Sequence, residues 1–191
     1  MTEKVLGRIV ALQVQRDPLK QRGVGYDPSP VLQVKEASLD AQGMVGRSDD
    51  GWVVDAHHPA HPRARGGGNR ALSIGFTEHY DRIAARFGRG ELGCGGENII
   101  VESDRRITVD DLAGTVVIRT DDGEIELTGA RVAAPCAEFT SYLLGLDQVM
   151  TKRELADDVE FLDDGTRGFI LDVAHLDRPT TILVGAEVVV R

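Results

Sequence analysis

The segment Gly95-Gly96-Glu97-Asn98-Ile99-Ile100-Val101 joins a glycine turn, two polar side chains and the beginning of an apolar run. Glycines allow the backbone to approach a ligand closely, and the Glu97–Asn98 pair would then face that ligand. The same pattern is also typical of a turn into a strand, with Asn98 holding the turn. The segment therefore predicts a strand over residues 98–101, with Glu97 and Asn98 as candidate binding residues.

Further strands are predicted on both sides of this segment, from short β-branched and alternating patterns. They cover residues 7–14, 31–36, 52–54, 115–119, 125–128, 168–174 and 186–190, whereas residues 16–30 and 55–69 are predicted to be loops. Asp121-Asp122-Gly123 lies between two of these runs. An Asp-Gly between apolar runs is a strong hairpin signal, so we expect the two strands to pair antiparallel.

Three short helices are predicted. The first begins at about Thr77, whose hydroxyl can cap it, and carries Tyr80, Ile83 and Phe87 on one face. The second begins at Cys136, where the pattern turns helical after Pro135. The third is opened by the capping-box spacing of residues 151–154.

Length and composition limit the fold class. The chain has 191 residues, of which 41% are hydrophobic and 5% aromatic, with 22 glycines and seven prolines. These numbers favour one β-rich domain, residues 1–191, with short connections and a core of Val, Ile, Leu and Ala. Strands and helices do not alternate regularly, so we predict a mostly β fold with some α, a closed mixed β-barrel with short rim helices.

Charge and the N-terminus limit the function. The net charge is −9, a field that repels phosphate backbones, so nucleic-acid binding is not expected. The N-terminus carries no basic region followed by a long apolar run, and no window is apolar enough to span a membrane. A cytoplasmic location is expected, where Cys94 and Cys136 would not form a disulfide framework.

Cys136 is the main candidate for catalysis. A thiol at a helix start lies near unpaired N–H groups and the positive end of the helix dipole, which stabilise a thiolate. The alternative is a small buried apolar side chain. Cys94 is a second thiol that would resolve a persulfide or sulfenic acid if the two meet; otherwise it is an incidental loop residue.

A dense group of metal-ligand residue types follows the strand at 52–54. Asp55, His57, His58 and His61 suit a zinc, iron or nickel site, with His79 further along the chain. No regular ligand spacing emerges, so a solvated or substrate-binding loop is the alternative, in which one histidine acts as general acid or base. We therefore predict no metal ligand.

Arginines surround a glycine run in the same loop. Arg63, Arg65 and Arg70 bracket residues 66–69, and guanidinium groups bind oxyanions in a bidentate manner. The alternative is an exposed loop whose arginines only aid solubility. Arg167, before a closing strand, is placed to face a cleft.

The order of these motifs resembles the MOSC domain, the C-terminal domain of molybdenum-cofactor sulfurases. The resemblance rests on the elements at residues 7–12, 70–74, 96–99, 131–136, 167–169 and 185–190 and on a helix containing Glu78. It covers nearly the whole chain, and its most specific motifs are Gly96-Glu97-Asn98-Ile99 and Pro135-Cys136. Members of the family usually carry a Gly-Asp-x-His element, whereas Asp55-Ala56-His57 follows Val54 here.

The resemblance implies a MOSC or pyruvate-kinase-barrel-like fold in which Cys136 carries sulfane sulfur as a persulfide. Arg70, Glu97, Asn98 and Arg167 would line the site, together with Asp55 and His57. It implies sulfur transfer to a metal centre, with molybdenum cofactor bound at the site, a cysteine desulfurase or other donor as one partner and a molybdoenzyme acceptor as another. The chain is too short to hold the pyridoxal-phosphate domain of full sulfurases.

Two alternatives remain at this point. In the first, the protein is a molybdenum-cofactor-dependent reductase of N-hydroxylated compounds, in which Cys136 ligates the metal. In the second, it is a non-catalytic binding module whose histidine-rich loop holds a metal or a partner.

Overall fold

The computed structural model describes residues 3–64, 72–173 and 176–191. The longer strands of these ranges are β1 (Lys4–Gln15), β4 (Val31–Val34), β5 (Glu36–Asp40), β6 (Gly43–Ser48), β7 (Gly51–Val54), β8 (Leu72–Phe76), β9 (Ile99–Val101), β10 (Val116–Thr120), β11 (Gly123–Val132), β12 (Phe169–Val173), β13 (Thr180–Leu183) and β14 (Glu187–Val190). A two-residue pair, β2 (Lys20–Gln21) and β3 (Gly25–Tyr26), forms a small hairpin. The helices are α1 (Thr77–Phe87), α2 (Ala137–Leu143) and α3 (Ala156–Asp163), with a 3-10 turn at Asp110–Leu112.

Seven strands close into a mixed barrel. The order of the main sheet is β14-β10-β11-β12-β8-β9-β1-β4, and an additional pairing of β14 with β1 closes it, leaving β4 attached outside the ring. Within the described ranges, β8 and β9 are the one parallel pair of this sheet, and its other pairs are antiparallel. The predicted mostly β fold with a closed mixed barrel and short rim helices is confirmed.

Closure depends on β1, which changes partner along its length. It pairs with β14 at its beginning, with β9 in the middle and with β4 at its end, and the register shifts between Val5 and Gly7. At this bulge Gly7 has φ +151°, and a Cβ there would lie 1.9 Å from the carbonyl oxygen of Glu102. Only glycine fits so close to a neighbouring backbone, so this position fixes how the barrel closes.

The barrel interior is filled by branched aliphatic side chains. Its fully buried members include Leu12, Ile74, Ile118, Leu127 and Val188. Burial of such a side chain contributes about 1.5–3 kcal/mol relative to exposure. Because these residues come from most strands of the ring, closure of the barrel buries them, and the core has the aliphatic character that the composition predicts.

The hairpin predicted at Asp121-Asp122-Gly123 is confirmed, since β10 and β11 pair antiparallel with Thr120 opposite Gly123. The prediction of a single strand over residues 31–36 was wrong in part. The chain leaves the main sheet at Lys35, so β4 pairs with β1 while β5 pairs with β6 and β13 in a separate four-stranded sheet.

Three other local predictions need correction. Residues 16–30 contain the β2–β3 hairpin and are not loop throughout. The Thr77 hydroxyl does not cap α1, because it donates to Ser103 O at 3.0 Å instead. The capping-box hydrogen bonds between Thr151 and Glu154 do form, but they close a turn before α3, which begins at Ala156.

The three helices pack together at the rim of the barrel. Ile83 of α1, Phe139 and Leu143 of α2 and Leu162 of α3 form a second apolar cluster, separate from the barrel core. This cluster also contains Cys94 and Tyr80, and Cys136 packs against it. Within the described ranges, no helix has the length and apolar character needed to cross a membrane.

Candidate active site around Cys136

Cys136 is the N-cap of α2. Its backbone is extended, with φ −117° and ψ 156°, and its Sγ accepts a hydrogen bond from the Phe139 N–H at 3.4 Å. The carbonyl oxygen of Cys136 accepts from the N–H and the hydroxyl of Thr140, at 3.0 and 2.9 Å. The predicted helix start is therefore confirmed, and the half-buried thiol faces one of the helix's otherwise unpaired donors.

Glu97 and Arg167 form a buried ion pair behind this helix. Arg167 Nη1 donates to Glu97 Oε1, and the Tyr80 hydroxyl donates to Oε2. Arg167 Nη2 donates to the carbonyl oxygen of Gly95 at 2.5 Å. The Arg167 guanidinium also stacks 4.5 Å above the centre of the Phe139 ring. Both residues were named from the sequence as lining the site, and Arg167 joins them to the helix that begins after Cys136.

The electrostatics of this cluster keep Arg167 charged and Tyr80 neutral. Burial acts to lower the pKa of Arg167, but the negative charge of Glu97, together with smaller contributions from Tyr26, Tyr80 and Cys136, raises it on balance. Burial, assisted by Glu97, raises the pKa of Tyr80 well above its usual value. Tyr80 is therefore a neutral hydrogen-bond donor and Arg167 a permanent cation whose charge is balanced by Glu97.

The glycines of the 95–96 turn make room for the protein's own side chains. A Cβ on Gly95 would lie 2.5 Å from Glu97 Oε1 and 2.8 Å from Arg167 Nη1. A Cβ on Gly96 would lie 2.7 Å from Gln15 Nε2. The expectation that these glycines serve the approach of a ligand is therefore incomplete, because packing against the buried ion pair already requires Gly95 and packing against Gln15 already requires Gly96.

A second polar network centres on Asp55, which is 2% exposed. Its Oδ2 accepts from the Gln15 N–H at 2.8 Å and from Asn98 Nδ2 at 3.1 Å. Its Oδ1 accepts from the His57 N–H at 2.9 Å and lies 3.0 Å from His57 Nδ1. Asn98 Oδ1 in turn accepts from Ser73. Asp55 and His57 therefore form one constellation with Asn98, which is 43 residues from Asp55 in the sequence.

The two networks meet at a pocket of about 110 Å³. Its polar lining comes from the side chains or backbone of Gln15, His57, Ser73, Gly95, Gly96, Asn98 and Arg167, and its apolar wall from Leu72, Ala133, Ala134 and Ile170. Ala134 stands two residues before Cys136. Of the predicted site residues, His57, Asn98 and Arg167 line this pocket, while Glu97 and Asp55 lie behind it as their partners.

The arginine-rich loop is only partly described. Arg70 and Arg65 lie outside the described residues, so their predicted role at an oxyanion stays a prediction. Arg63 forms an ion pair with Asp17 at 2.9 Å on the surface.

The histidines of the 55–61 loop turn to separate partners. His57 faces Asp55, His58 Nε2 lies 3.3 Å from Asp40 Oδ2, and His61 Nε2 lies 3.1 Å from the carbonyl oxygen of Arg16. Across residues 3–64, 72–173 and 176–191, no group of three or more His, Cys, Asp or Glu side chains is arranged to hold a metal ion. The metal-binding interpretation of this loop therefore gains no support from the arrangement.

His79 is a core residue, 1% exposed. It lies between the rings of Phe76 and Phe169, at 5.4 and 5.9 Å, and its Nε2 lies 3.0 Å from the carbonyl oxygen of Ile107. Burial, together with the charges of Arg106 and Arg82, lowers its pKa to about 4 against the raising effect of Ile107. His79 is therefore neutral in the folded protein at pH 7.

We expect His79 to make the protein acid-sensitive. The unfolded chain takes up a proton at a pKa of about 6.5, whereas the folded chain does so only near 4. Between these values the unfolded state binds the additional proton, so stability falls as the pH is lowered. Between pH 7 and pH 5, the free energy of unfolding should fall by about 2 kcal/mol less in the His79→Phe variant than in the wild type. Urea denaturation at the two pH values measures this difference. An identical loss in both proteins would contradict this assignment.

Cys94 is unsuited to resolve a persulfide. It is 5% exposed, and burial, together with Glu97, raises its pKa to about 12. Both cysteines contribute to the apolar cluster around Phe139. A thiol that stays protonated at neutral pH is a weak nucleophile, so the arrangement favours the structural interpretation of Cys94.

Sequence reasoning missed three residues of the site, namely Gln15, Ser73 and Tyr80, and also Tyr26, whose hydroxyl donates to the carbonyl oxygen of Cys94 at 2.8 Å next to the site. Gln15 interrupts an otherwise apolar strand, and a buried tyrosine hydroxyl needs a partner. These two signals were visible in the sequence. Tyr26 and Ser73 carried no such signal, because each is defined by contacts far along the chain.

Comparison with known proteins places the fold. No protein-family profile and no curated protein matches the chain. Among solved structures, the YuaD protein from Bacillus subtilis is 19% identical, with 99% of this chain and 96% of that chain covered and a TM-score of 0.56. YiiM from Escherichia coli is 17% identical, with 96% and 69% covered and a TM-score of 0.50. YiiM from Geobacillus stearothermophilus is 15% identical, with 100% and 75% covered and a TM-score of 0.50. The likeness concerns the fold, which is MOSC-like.

Proposed function

We propose that this chain is a MOSC-type sulfur carrier in which Cys136 holds a sulfane sulfur as a persulfide. The observation that carries the proposal is the position of Cys136 at the start of α2, with its Sγ accepting the Phe139 N–H. An N–H donor stabilises negative charge on sulfur. The adjacent polar pocket supplies room for the molecule to which the sulfur is passed.

The proposed loading step is a thiol exchange without net oxidation. The Cys136 thiolate attacks the outer sulfur of a donor persulfide, on a cysteine desulfurase or another donor. A new S–S bond forms on Cys136, the S–S bond of the donor breaks, and the donor leaves as a thiolate that takes up a proton. Arg167 cannot neutralise the Cys136 thiolate fully, because Glu97 already balances its charge.

The pocket lining fits the hydrogen-bonding ring of a pterin such as molybdenum cofactor. Gln15, Ser73 and Asn98 present amide and hydroxyl groups, and His57 adds a half-exposed imidazole. A phosphate on that cofactor would need a further cation, because Arg167 is paired with Glu97; we assign this role to Arg70. When bound, the cofactor would supply a metal centre as the destination of the sulfur, and a molybdoenzyme would be the downstream partner.

Mass spectrometry tests the proposal directly. After incubation with a cysteine desulfurase and cysteine, the wild-type protein should gain about 32 Da, the mass of one sulfur atom, and lose it on reduction. The Cys136→Ala variant should not gain this mass, whereas Cys94→Ala should gain it as the wild type does. Absence of the adduct in the wild type, or its persistence in Cys136→Ala, would refute sulfur carriage at this residue.

Metal analysis of the same preparations distinguishes the sulfur carrier from the alternative function, a molybdenum-dependent reductase. Protein that contains stoichiometric molybdenum, loses it in Cys136→Ala and takes up no sulfur would support a reductase in which Cys136 ligates the metal.

A further inference from the structure

A second and larger cavity lies against α2, the helix that begins after Cys136. It encloses about 290 Å³ between the β2–β3 hairpin, α2 and the segment that follows α2. Its lining includes Tyr26, Arg89, Glu138, Tyr142 and Asp147. None of these residues lines the pocket described above, so the cavity is a distinct feature of the surface.

Arg89 is a preorganised cation at this cavity. Its guanidinium stacks 4.8 Å above the centre of the Tyr142 ring. Gly145 leaves space for it, since a Cβ there would lie 3.1 Å from Arg89 Nη1. In the described part of the chain, no carboxylate lies within ion-pair distance of Arg89. An arginine fixed in this way is suited to bind a carboxylate in a bidentate manner.

Negative groups lie in the same cavity. Asp147 is exposed there and forms no ion pair in the described ranges. Glu138 accepts from the Gly23 N–H at 2.9 Å and pairs with Lys20 at 3.2 Å. The lining therefore presents a free cation and a free anion, complementary to a small molecule that carries both charges.

The cavity adjoins the helix that begins after Cys136. Burial acts to raise the pKa of Glu138, but hydrogen bonds from Gly23, its own backbone, Lys20 and the Cys136 side chain lower it to about 2. Glu138 is thus a charged wall of the cavity that stands two residues after Cys136 in the chain. Tyr26, another wall, lies with its ring centre 5.0 Å from that of Phe139, one helical turn after Cys136.

We propose that this cavity binds a free α-amino acid bearing a thiol or persulfide, with its carboxylate on Arg89 and its ammonium group on Asp147. A volume of about 290 Å³ admits one such molecule, and Tyr26 and Tyr142 bound its apolar part. The bound amino-acid persulfide would be the sulfur donor, a role that rests on the sulfur-carrier function proposed above. Its outer sulfur would pass to Cys136 by the exchange already described, and the free amino-acid thiol would leave.

Calorimetric or NMR titration with L-cysteine tests the site under reducing conditions, with L-serine as an isosteric probe that lacks sulfur. Both should bind the wild type, and Arg89→Ala should weaken both by about tenfold, because a charge-assisted pair is lost. Cysteamine lacks the carboxylate and should bind the wild type about tenfold more weakly than L-cysteine does. The affinity of cysteamine should be the same for Arg89→Ala and the wild type. Asp147→Asn should weaken both amino acids and leave 3-mercaptopropionate, which lacks the ammonium group, unaffected.

The matched control is Arg47→Ala, which removes an arginine of β6 that also stacks on an aromatic ring, 5.5 Å from the centre of Trp52 on β7. It should bind L-cysteine as the wild type does, and so should Cys136→Ala. Absence of binding to the wild type, or equal affinity for L-cysteine in Arg89→Ala and wild type, would overturn the site. If the titrations succeed and the Cys136 adduct fails to form, the site stands and sulfur carriage is refuted.

Discussion

The Glu97→Ala variant is expected to be about 3–5 kcal/mol less stable than the wild type, because it leaves the Arg167 guanidinium buried without its counter-charge. Glu97 is 3% exposed, and it also accepts the hydroxyl proton of the buried Tyr80. Removal of the carboxylate therefore strands one charged and one neutral donor. Urea denaturation followed by circular dichroism at pH 7 measures the loss.

Two controls separate this effect from a general sensitivity to charge removal. Asp172→Ala removes a carboxylate from the exposed Arg131–Asp172 pair, and such surface pairs contribute less than about 1 kcal/mol. The double variant Glu97→Ala/Arg167→Met should be more stable than Glu97→Ala alone, because it removes the stranded charge. A loss below about 1 kcal/mol in Glu97→Ala would show that water or another group replaces the carboxylate.

The barrel was predictable because its evidence is local. An Asp-Gly turn between apolar runs marks the β10–β11 hairpin in the sequence. β1 and β14 are segments with β-branched side chains near the two ends of the chain. Three longer strands, β6, β8 and β13, were not predicted as strands. β6 begins at Gly43 and contains Gly46, which weakens its pattern. β8 is five residues long and passes directly into α1, so no turn residue marks its end.

The site was predictable in its residue types but not in its pairings. Glu97, Asn98, Arg167 and Cys136 were selected from motifs, and these motifs do meet at one end of the barrel. Their partners could not be read from the sequence. In the sequence, Tyr80 is one of the residues on the predicted apolar face of α1. Only the fold shows that its hydroxyl donates to Glu97, 17 residues away.

The same fold changes the meaning of the glycine-rich motif. Gly95 was expected to open the backbone to a ligand, whereas it accommodates Glu97 and Arg167. The buried Glu97–Arg167 pair also contacts α2, because the Arg167 guanidinium stacks on the Phe139 ring. Because Phe139 also supplies the N–H that faces Cys136 Sγ, the ion pair supports the helix start on which the proposed chemistry depends. For the chemistry proposed above, Glu97 and Arg167 would therefore be positioning residues of the thiol.

The Asp55→Ala variant should show the second large loss, about 3–4 kcal/mol, because each buried donor left without an acceptor costs about 1–3 kcal/mol. Asp55 accepts from the Gln15 and His57 N–H groups and from Asn98 Nδ2, with His57 Nδ1 at hydrogen-bond distance. Asn98 Nδ2 keeps only a long contact of 3.4 Å to the Gln13 carbonyl oxygen. The loss is measured by urea denaturation at pH 7.

Asp55→Asn distinguishes hydrogen bonding from the volume of the side chain. An asparagine keeps the shape but has one acceptor oxygen, and its NH₂ group would face two of the donors that Asp55 now satisfies. We therefore expect Asp55→Asn to lose more than half of the stability that Asp55→Ala loses. Asp27→Ala removes an exposed carboxylate that also accepts two hydrogen bonds, from Ser29, and should stay within about 0.5 kcal/mol of the wild type. An Asp55→Asn variant as stable as the wild type would mean that volume alone matters at this position, and that Asn98 and His57 reach the pocket without the carboxylate.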